Sequence, residues 1–165
     1  MKILVFSDSH STLSFMRYCI RAVQPDALIH LGDHYDDAEV LAQEYPEIRL
    51  YRVPGNCDRY RCPDWVREIA IENIFGVNFY LTHGHRHGVK RDTDKLLYDA
   101  RGCGVQAVLY GHTHIPECYQ EPDGLWVLNP GSCGYYGGTA GIIVVDNQKI
   151  RSCTVIRQEN LEEFA

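Results

Sequence analysis

No block of Lys or Arg stands anywhere in this 165-residue chain, whose formal net charge is −6. A groove that tracks a nucleic-acid backbone needs such a block to displace counterions from phosphates, so stable nucleic-acid binding is not expected. A nucleotide-like substrate stays open, because divalent cations held in an acidic chain supply local positive charge. Long apolar runs are missing as well. The run Ile3 to Phe6 is interrupted at once by Ser7, Asp8, Ser9 and His10. It is too short for the core of a signal peptide, and no stretch could span a bilayer. Cys-x-x-Cys pairs are absent although the chain has seven cysteines. An odd, scattered set argues against a secreted disulfide framework, and a reducing cytoplasm is the expected home. Low-complexity segments and internal repeats are also lacking. With 45% hydrophobic and 23% charged residues, the composition fits one compact domain over residues 1–165.

The hydrophobic pattern then divides the chain. Ile3-Leu4-Val5-Phe6 reads as a strand buried on both faces. Ser11-Thr12 is placed to cap a helix over 13–23, which Pro25 ends. A second buried strand runs from Ala27 to Leu31, a helix covers 36–45, and a third strand covers 48–53. Three strand-to-helix units in sequence predict a parallel sheet with crossover helices. Strands follow over 66–74 and 77–82 around a turn at Phe75-Gly76, then a helix over 92–101 ending at Gly102 or Gly104. A strand at 107–110 comes next. The remainder reads as antiparallel strands at 117–120, 125–128, 141–145 and 149–157. The expected architecture is a four-layer α-β-β-α sandwich, two sheets flanked by helices.

Polar residues interrupt this buried pattern at the strand ends. Asp8 and His10 follow the first strand, Asp33 the second and Asn56 the third. His83 follows the strand at 77–82, and His112 and His114 follow the strand before Gly111. Ligands of open α/β sheets gather where loops leave the carboxyl ends of strands, so these seven groups can converge across a hundred residues of chain. Oxygen and nitrogen donors without thiolate suit Mn, Fe, Ni, Co or Zn. Seven donors exceed one tetrahedral site and match two neighbouring sites. Paired ions of that kind clamp the attacking and leaving oxygens of an in-line displacement at phosphorus.

The motifs Asp8-Ser9-His10, Gly32-Asp33, Gly55-Asn56-Cys57-Asp58, Thr82-His83-Gly84-His85 and Gly111-His112-Thr113-His114 resemble the calcineurin-like metallophosphoesterases. Within that family they are most similar to the small YfcE-type phosphodiesterase branch. The resemblance runs from residue 2 to about residue 135, and Asn129-Pro130-Gly131-Ser132 fits the family's closing strand loop. It implies two divalent ions per chain, Mn first among them, with Ni, Fe, Zn, Co or Mg as alternatives. Asp8, His10, Asp33 and His114 would hold one ion; Asp33, Asn56, His83 and His112 would hold the other, with Asp33 bridging. A hydroxide between them would attack a small-molecule phosphodiester. The wider family often carries His after Gly-Asn, and that His can protonate the leaving oxygen. This chain has Cys57 there, a poorer acid–base partner near pH 7. That leaves His85 as a candidate substrate contact or proton donor, Asn56 and Arg59 as candidate substrate contacts, and Asp58 as a residue that orients the site or simply makes the turn.

Each motif has a plainer reading. A lone Asp or His at a strand end is commonly a cap or a solvated loop residue. His30 reads as a satisfied core histidine, His34 and His87 as surface residues, and Cys57 as a semi-buried filler. Tyr135-Tyr136, set among glycines, reads as a pocket wall or a contact in a homo-oligomer. The rival function is a non-catalytic interaction or scaffold protein of the same fold, as in the retromer scaffold subunit. All seven ligand positions being intact favours the enzyme.

Overall fold

The structure is a computed structural model and describes residues 1–135 and 137–164; Tyr136, named above beside Tyr135, lies outside them. The first sheet contains β1 (Lys2–Phe6), β2 (Ala27–His30), β3 (Arg49–Arg52), β9 (Thr139–Asp146) and β10 (Lys149–Arg157), in the order β10-β9-β1-β2-β3. The second contains β4 (Ile69–Ile74), β5 (Val77–Thr82), β6 (Ala107–Leu109), β7 (Glu117–Gln120) and β8 (Trp126–Asn129), in the order β4-β5-β6-β8-β7. Helices α1 (Ser14–Val23) and α2 (Tyr35–Glu44) cover the first sheet, and α3 (Asp94–Gly102) covers the second. None of these helices is long and apolar enough to cross a membrane.

The period-two alternation of a strand explains the four layers. Ile3 and Val5 of β1 point between the sheets, where they meet Phe79, Leu81, Leu109 and Leu128 of the second sheet. Their neighbours Leu4 and Phe6 point the other way, onto Met16, Cys19 and Ile20 of α1 and Leu41 of α2. Tyr80 and Val108 likewise face Leu96, Leu97 and Ala100 of α3. Strands with cover on both faces must be apolar throughout, which is why β1 reads as an unbroken hydrophobic run.

The sandwich is the architecture the pattern predicts, with four corrections. The strands after β6 are not all antiparallel: β8 pairs with β6 in parallel and with β7 antiparallel. This puts the end of β8 beside the ends of β5 and β6. The third strand leads into a single 3-10 turn at Asn56–Asp58, not a crossover helix. Neither Ser11 nor Thr12 caps α1, whose N-cap is Leu13 with no side-chain bond; the Ser11 hydroxyl is spent on His34 Nδ1 at 2.9 Å and its N–H on Asp37 at 2.8 Å. His87 is buried beneath the second sheet's outer face, within hydrogen-bond reach of the Tyr80 hydroxyl at 3.1 Å.

His30 is the satisfied core histidine expected. Its Nδ1 accepts from the Gly32 N–H at 3.2 Å, which leaves Nε2–H to donate to Ser9 Oγ at 3.0 Å. The Ser9 hydroxyl donates in turn to Asp37 at 2.6 Å. Burial pushes the imidazole down from 6.5 to about 4, with nearby Asp37 and Asp58 opposing. The folded state therefore resists protonation that the unfolded chain accepts, and the resulting stability is present above pH 6.5 and lost as pH falls towards 4. We predict that the urea midpoint of metal-free protein declines across this window, and that His30→Gln, though less stable at pH 7.5, flattens the decline. An unchanged slope in the variant would rule out His30 as its source.

Candidate metal centre

The carboxyl ends of β1, β2 and β3 meet those of β5, β6 and β8 along one rim of the sandwich. Asp8 leaves β1 and lies fully buried, its carboxylate accepting from Ser7 Oγ at 2.5 Å and from the His112 N–H at 3.1 Å. His114 Nε2 stands 3.0 Å from Asp8 Oδ1. Asp33 leaves β2, is 3% exposed, and accepts from the Cys57 N–H at 2.9 Å. His83 leaves β5 with its Nδ1–H donating to the Leu31 carbonyl at 2.8 Å. That bond fixes the tautomer and turns the Nε2 lone pair to the site, 3.1 Å from Asn56 Oδ1, 3.5 Å from Asp33 and 3.9 Å from Asp8.

Two groups of donors result. The donor atoms of Asp8, His10 and His114 lie within 4.8 Å of one another, as do those of Asp8, Asp33 and His83. Asn56 adjoins the second group, and the His112 ring lies 5.0 Å from that of His83. All seven residues singled out in the sequence are thus brought together. Asp8 is the carboxylate common to both groups, and Asp33, which belongs to the second, is also near enough to raise the His10 imidazole against its burial.

Backbone strain marks the same positions. Asp8, His10, Asp33, His112 and His114 sit at φ of 55°, 45°, 55°, 69° and 61°. Each left-handed residue costs on the order of 1 kcal/mol, tolerated best by Asp, Asn and His. Room is made by two glycines. A Cβ on Gly32, at φ 95°, would lie 2.3 Å from Gly55 N, and one on Gly55 would lie 2.1 Å from Asp33 Oδ1. The Gly-Asp and Gly-Asn loops can approach only without side chains there.

Asp58 ties these loops together. Fully buried, its carboxylate accepts from the N–H groups of Asp33, His34 and Tyr35 at 2.9 Å each and from Gly55 at 2.7 Å. Three of those donors belong to the start of α2, whose N-cap His34 makes no side-chain bond of its own. A distant carboxylate thus caps the helix, where its charge is favoured. Asn129, at the end of β8, serves the opposite loop: its amide donates to the Gly111 carbonyl at 3.2 Å and to Thr113 Oγ1 at 2.9 Å, and its carbonyl accepts from the Gly131 N–H at 2.9 Å.

The electrostatics suit cations. Burial works against ionising Asp33, yet His83 and the Cys57 N–H hold its carboxyl well below the usual range. Burial also works against charging His83, but the carboxylates of Asp33 and Asp8 raise it above the ordinary imidazole value. Burial and the neighbouring His83 push His112 down to about 4, so it is a neutral donor at pH 7. No Lys or Arg pairs with Asp8 or Asp33 among the described residues; their ion-pair partners are His83 and His114. His10 Nε2 is buried with no hydrogen-bond partner among the described residues. Two buried carboxylates faced only by imidazoles, and an orphaned imidazole nitrogen aimed among them, fit bound divalent cations.

Beside this centre, reaching it at Asn56, lies a cleft of about 550 Å³ lined also by Asp58, Arg59, Cys62, Glu68, His85 and Arg86. His85 has Nε2 3.7 Å from Glu68, a buried Nδ1 without a partner, and a pKa lowered by burial and by His83. Arg59 lies on the cleft wall, stacked at 5.7 Å on Tyr60. Cys57 is exposed, not semi-buried, and its thiol is pushed up to about 11 by burial and by Asp33. Three neighbours had gone unassigned in sequence: Ser7 on Asp8, the Leu31 carbonyl on His83, and Glu68 on His85. Only the first lies directly beside one of the motifs, Asp8-Ser9-His10. Tyr135 does line the site, its ring 4.9 Å from His10 and stacked on His114 at 5.7 Å.

Buried Asp8, Asp33 and His83, with Asn56, His10, His112 and His114 beside them at the strand exits, form a candidate metal centre. The calcineurin-like phosphoesterase superfamily domain matches residues 1–149, and the chain belongs to that superfamily. A phosphodiesterase of Methanocaldococcus jannaschii is 32% identical over 165 residues, covering 90% of this chain and 95% of its own. A probable metallophosphoesterase of Bacillus subtilis is 30% identical over 135 residues, covering 80% of this chain and 75% of its own. Among solved structures, a phosphoesterase-like protein of Streptococcus pneumoniae superposes with TM-score 0.74 at 26% identity, covering 96% of this chain and 90% of that one. Zinc-bound Vps29 of Entamoeba histolytica shares the fold, with TM-score 0.73 at 19% identity over 95% of this chain and 98% of that one.

Removing the Asp58 clamp leaves four N–H groups, three of them buried, without that acceptor. We predict that Asp58→Ala lowers unfolding free energy by about 3–5 kcal/mol in urea titrations. A loss below about 1 kcal/mol would show that the loops hold themselves.

Proposed function

We propose that this chain is a metal-dependent phosphodiesterase, one domain over residues 1–165, that hydrolyses small and nucleotide-like phosphodiesters at a site for two divalent cations. The observation that carries the reading is the pair of buried carboxylates, Asp8 and Asp33, faced by imidazoles and, among the described residues, by no lysine or arginine. Its support beyond this chain is the 32% identical phosphodiesterase. Asp8, His10, Asp33 and His114 would hold one cation, and Asp33, Asn56, His83 and His112 the other. The oxygen and nitrogen donor set suits Mn, and also Fe, Ni, Co, Zn or Mg. Bound there, divalent cations supply Lewis acidity towards phosphoryl oxygens and bring the pKa of water towards neutrality.

The chain's own groups do the remainder. The Leu31 carbonyl keeps the His83 proton on Nδ1, so Nε2 stays a donor to the site. His85 and Arg59, on the cleft wall, would meet the ester and its developing charge. His85, on the cleft wall, would hold or pass a proton at the leaving oxygen. Cys57 brings a neutral thiol where an imidazole would be the better acid, so fast turnover is expected for diesters with good leaving groups. Asp58 acts through Asp33 and Gly55, as a positioning residue. A reducing cytoplasm completes the reading.

Protein supplied with Mn is expected to cleave an activated aryl phosphodiester and to stop on chelation. Asp33→Asn should lose bound metal and turnover together, the latter by roughly a hundredfold or more. His85→Ala should keep its metal while kcat falls roughly 10–100-fold. Metal-replete protein inert towards every phosphodiester and monoester would overturn the proposal. An inert wild type whose Asp33→Asn variant still bound a protein partner would establish the scaffold instead.

A further inference from the structure

β10 and β7 are the outer strands of their respective sheets, and they run against each other where the sandwich closes along one side. Cys118 on β7 and Cys153 on β10 meet there with their sulfurs 3.1 Å apart, 35 residues distant in sequence. Both side chains pack against the core between the sheets, and both are half-buried, so a small oxidant has access while bulk solvent is limited. A disulfide needs its sulfurs at about 2.05 Å, so bonding requires them to close by roughly 1 Å. The chain's five other cysteines are Cys19 and Cys133 in the core, Cys57 and Cys103 exposed and Cys62 half-buried.

We propose that Cys118 and Cys153 are a reversible oxidation site whose disulfide staples the two sheets together. The chemistry is closed by a hydroperoxide. One thiolate attacks the peroxide, the O–O bond breaks, and a sulfenic acid and an alcohol result, or water when the oxidant is hydrogen peroxide. The second thiol attacks the sulfenic sulfur, the S–S bond forms, and its proton leaves with the departing hydroxide as water. Two thiols lose two protons and two electrons, and one peroxide is reduced. The hydrogen bond between the sulfurs favours the first step, since it lowers Cys118 below the ordinary thiol value while raising Cys153. A dithiol reductant reverses the reaction by exchange.

The staple matters because the two sheets are otherwise joined at this edge by apolar packing. Cys118 lies four residues beyond His114, so the bond would also fix the strand that follows the Gly111–His114 loop. Closing a loop of this length gives a typical disulfide stabilisation, which for a chain of this size raises Tm by roughly 5–15 °C.

The test treats the full chain with hydrogen peroxide, blocks remaining thiols and maps the peptides without reduction, with thermal unfolding recorded in parallel. The expected result is a single Cys118–Cys153 linkage, a Tm higher by roughly 5–15 °C, and return of both to the starting state with dithiothreitol. Cys153→Ser and, separately, Cys118→Ala should each abolish the linkage and the rise. Peroxide products confined to Cys57, Cys62 or Cys103, with Cys118 and Cys153 recovered as thiols, would overturn the site. A linkage formed without a rise in Tm would overturn the staple. The mapping decides the site on wild-type protein even if a variant fails to fold, and it is independent of any phosphodiesterase activity.

Discussion

Burying Asp8 and Asp33 side by side is the constraint around which this molecule is arranged. Two carboxylates out of water cost several kcal/mol each unless opposite charge and hydrogen bonds compensate them. The fold supplies hydrogen bonds from Ser7, His112 and Cys57, but imidazoles instead of a lysine or arginine. His112 is held neutral by burial, and His10 keeps a buried nitrogen with nothing to bond. In the proposed function an external cation would complete the balance and couple the folded rim to phosphoester chemistry.

The cost of building such a rim falls on the backbone, and it is offset away from the donors themselves. Five strained exits would relax if the loops were free to move. Asp58 holds the loop after β2 to the loop after β3, and Asn129 holds the loop after β6 to the end of β8. Neither side chain belongs to the donor set, yet each sets the distance between pieces of it. The parallel pairing of β8 with β6 is what brings Asn129 to that place.

The strand ends were legible because a polar residue directly after a buried apolar run has few structural uses, and because Gly beside Asp or Asn signals a close backbone approach. His83 and its carboxylate partners could be named on that basis. The part that stayed hidden depends on tertiary pairing. The role of Asp58 rests on N–H groups more than twenty residues upstream, and the Leu31 carbonyl on His83 leaves no trace in residue type. His87 reads as a surface residue because its own segment is polar, whereas it is buried beside Tyr80 and Asp99 of α3. Ser11 and Thr12 looked like caps, but Asp37 and His34 compete for Ser11 and prevail.

Anomalous diffraction from crystals grown with Mn tests the central claim most directly. The account predicts two metal peaks in each chain, one among Asp8, His10 and His114 and one among Asp33, Asn56, His83 and His112. Finding no metal against Asp8 and Asp33, or a single ion elsewhere on the surface, would contradict it.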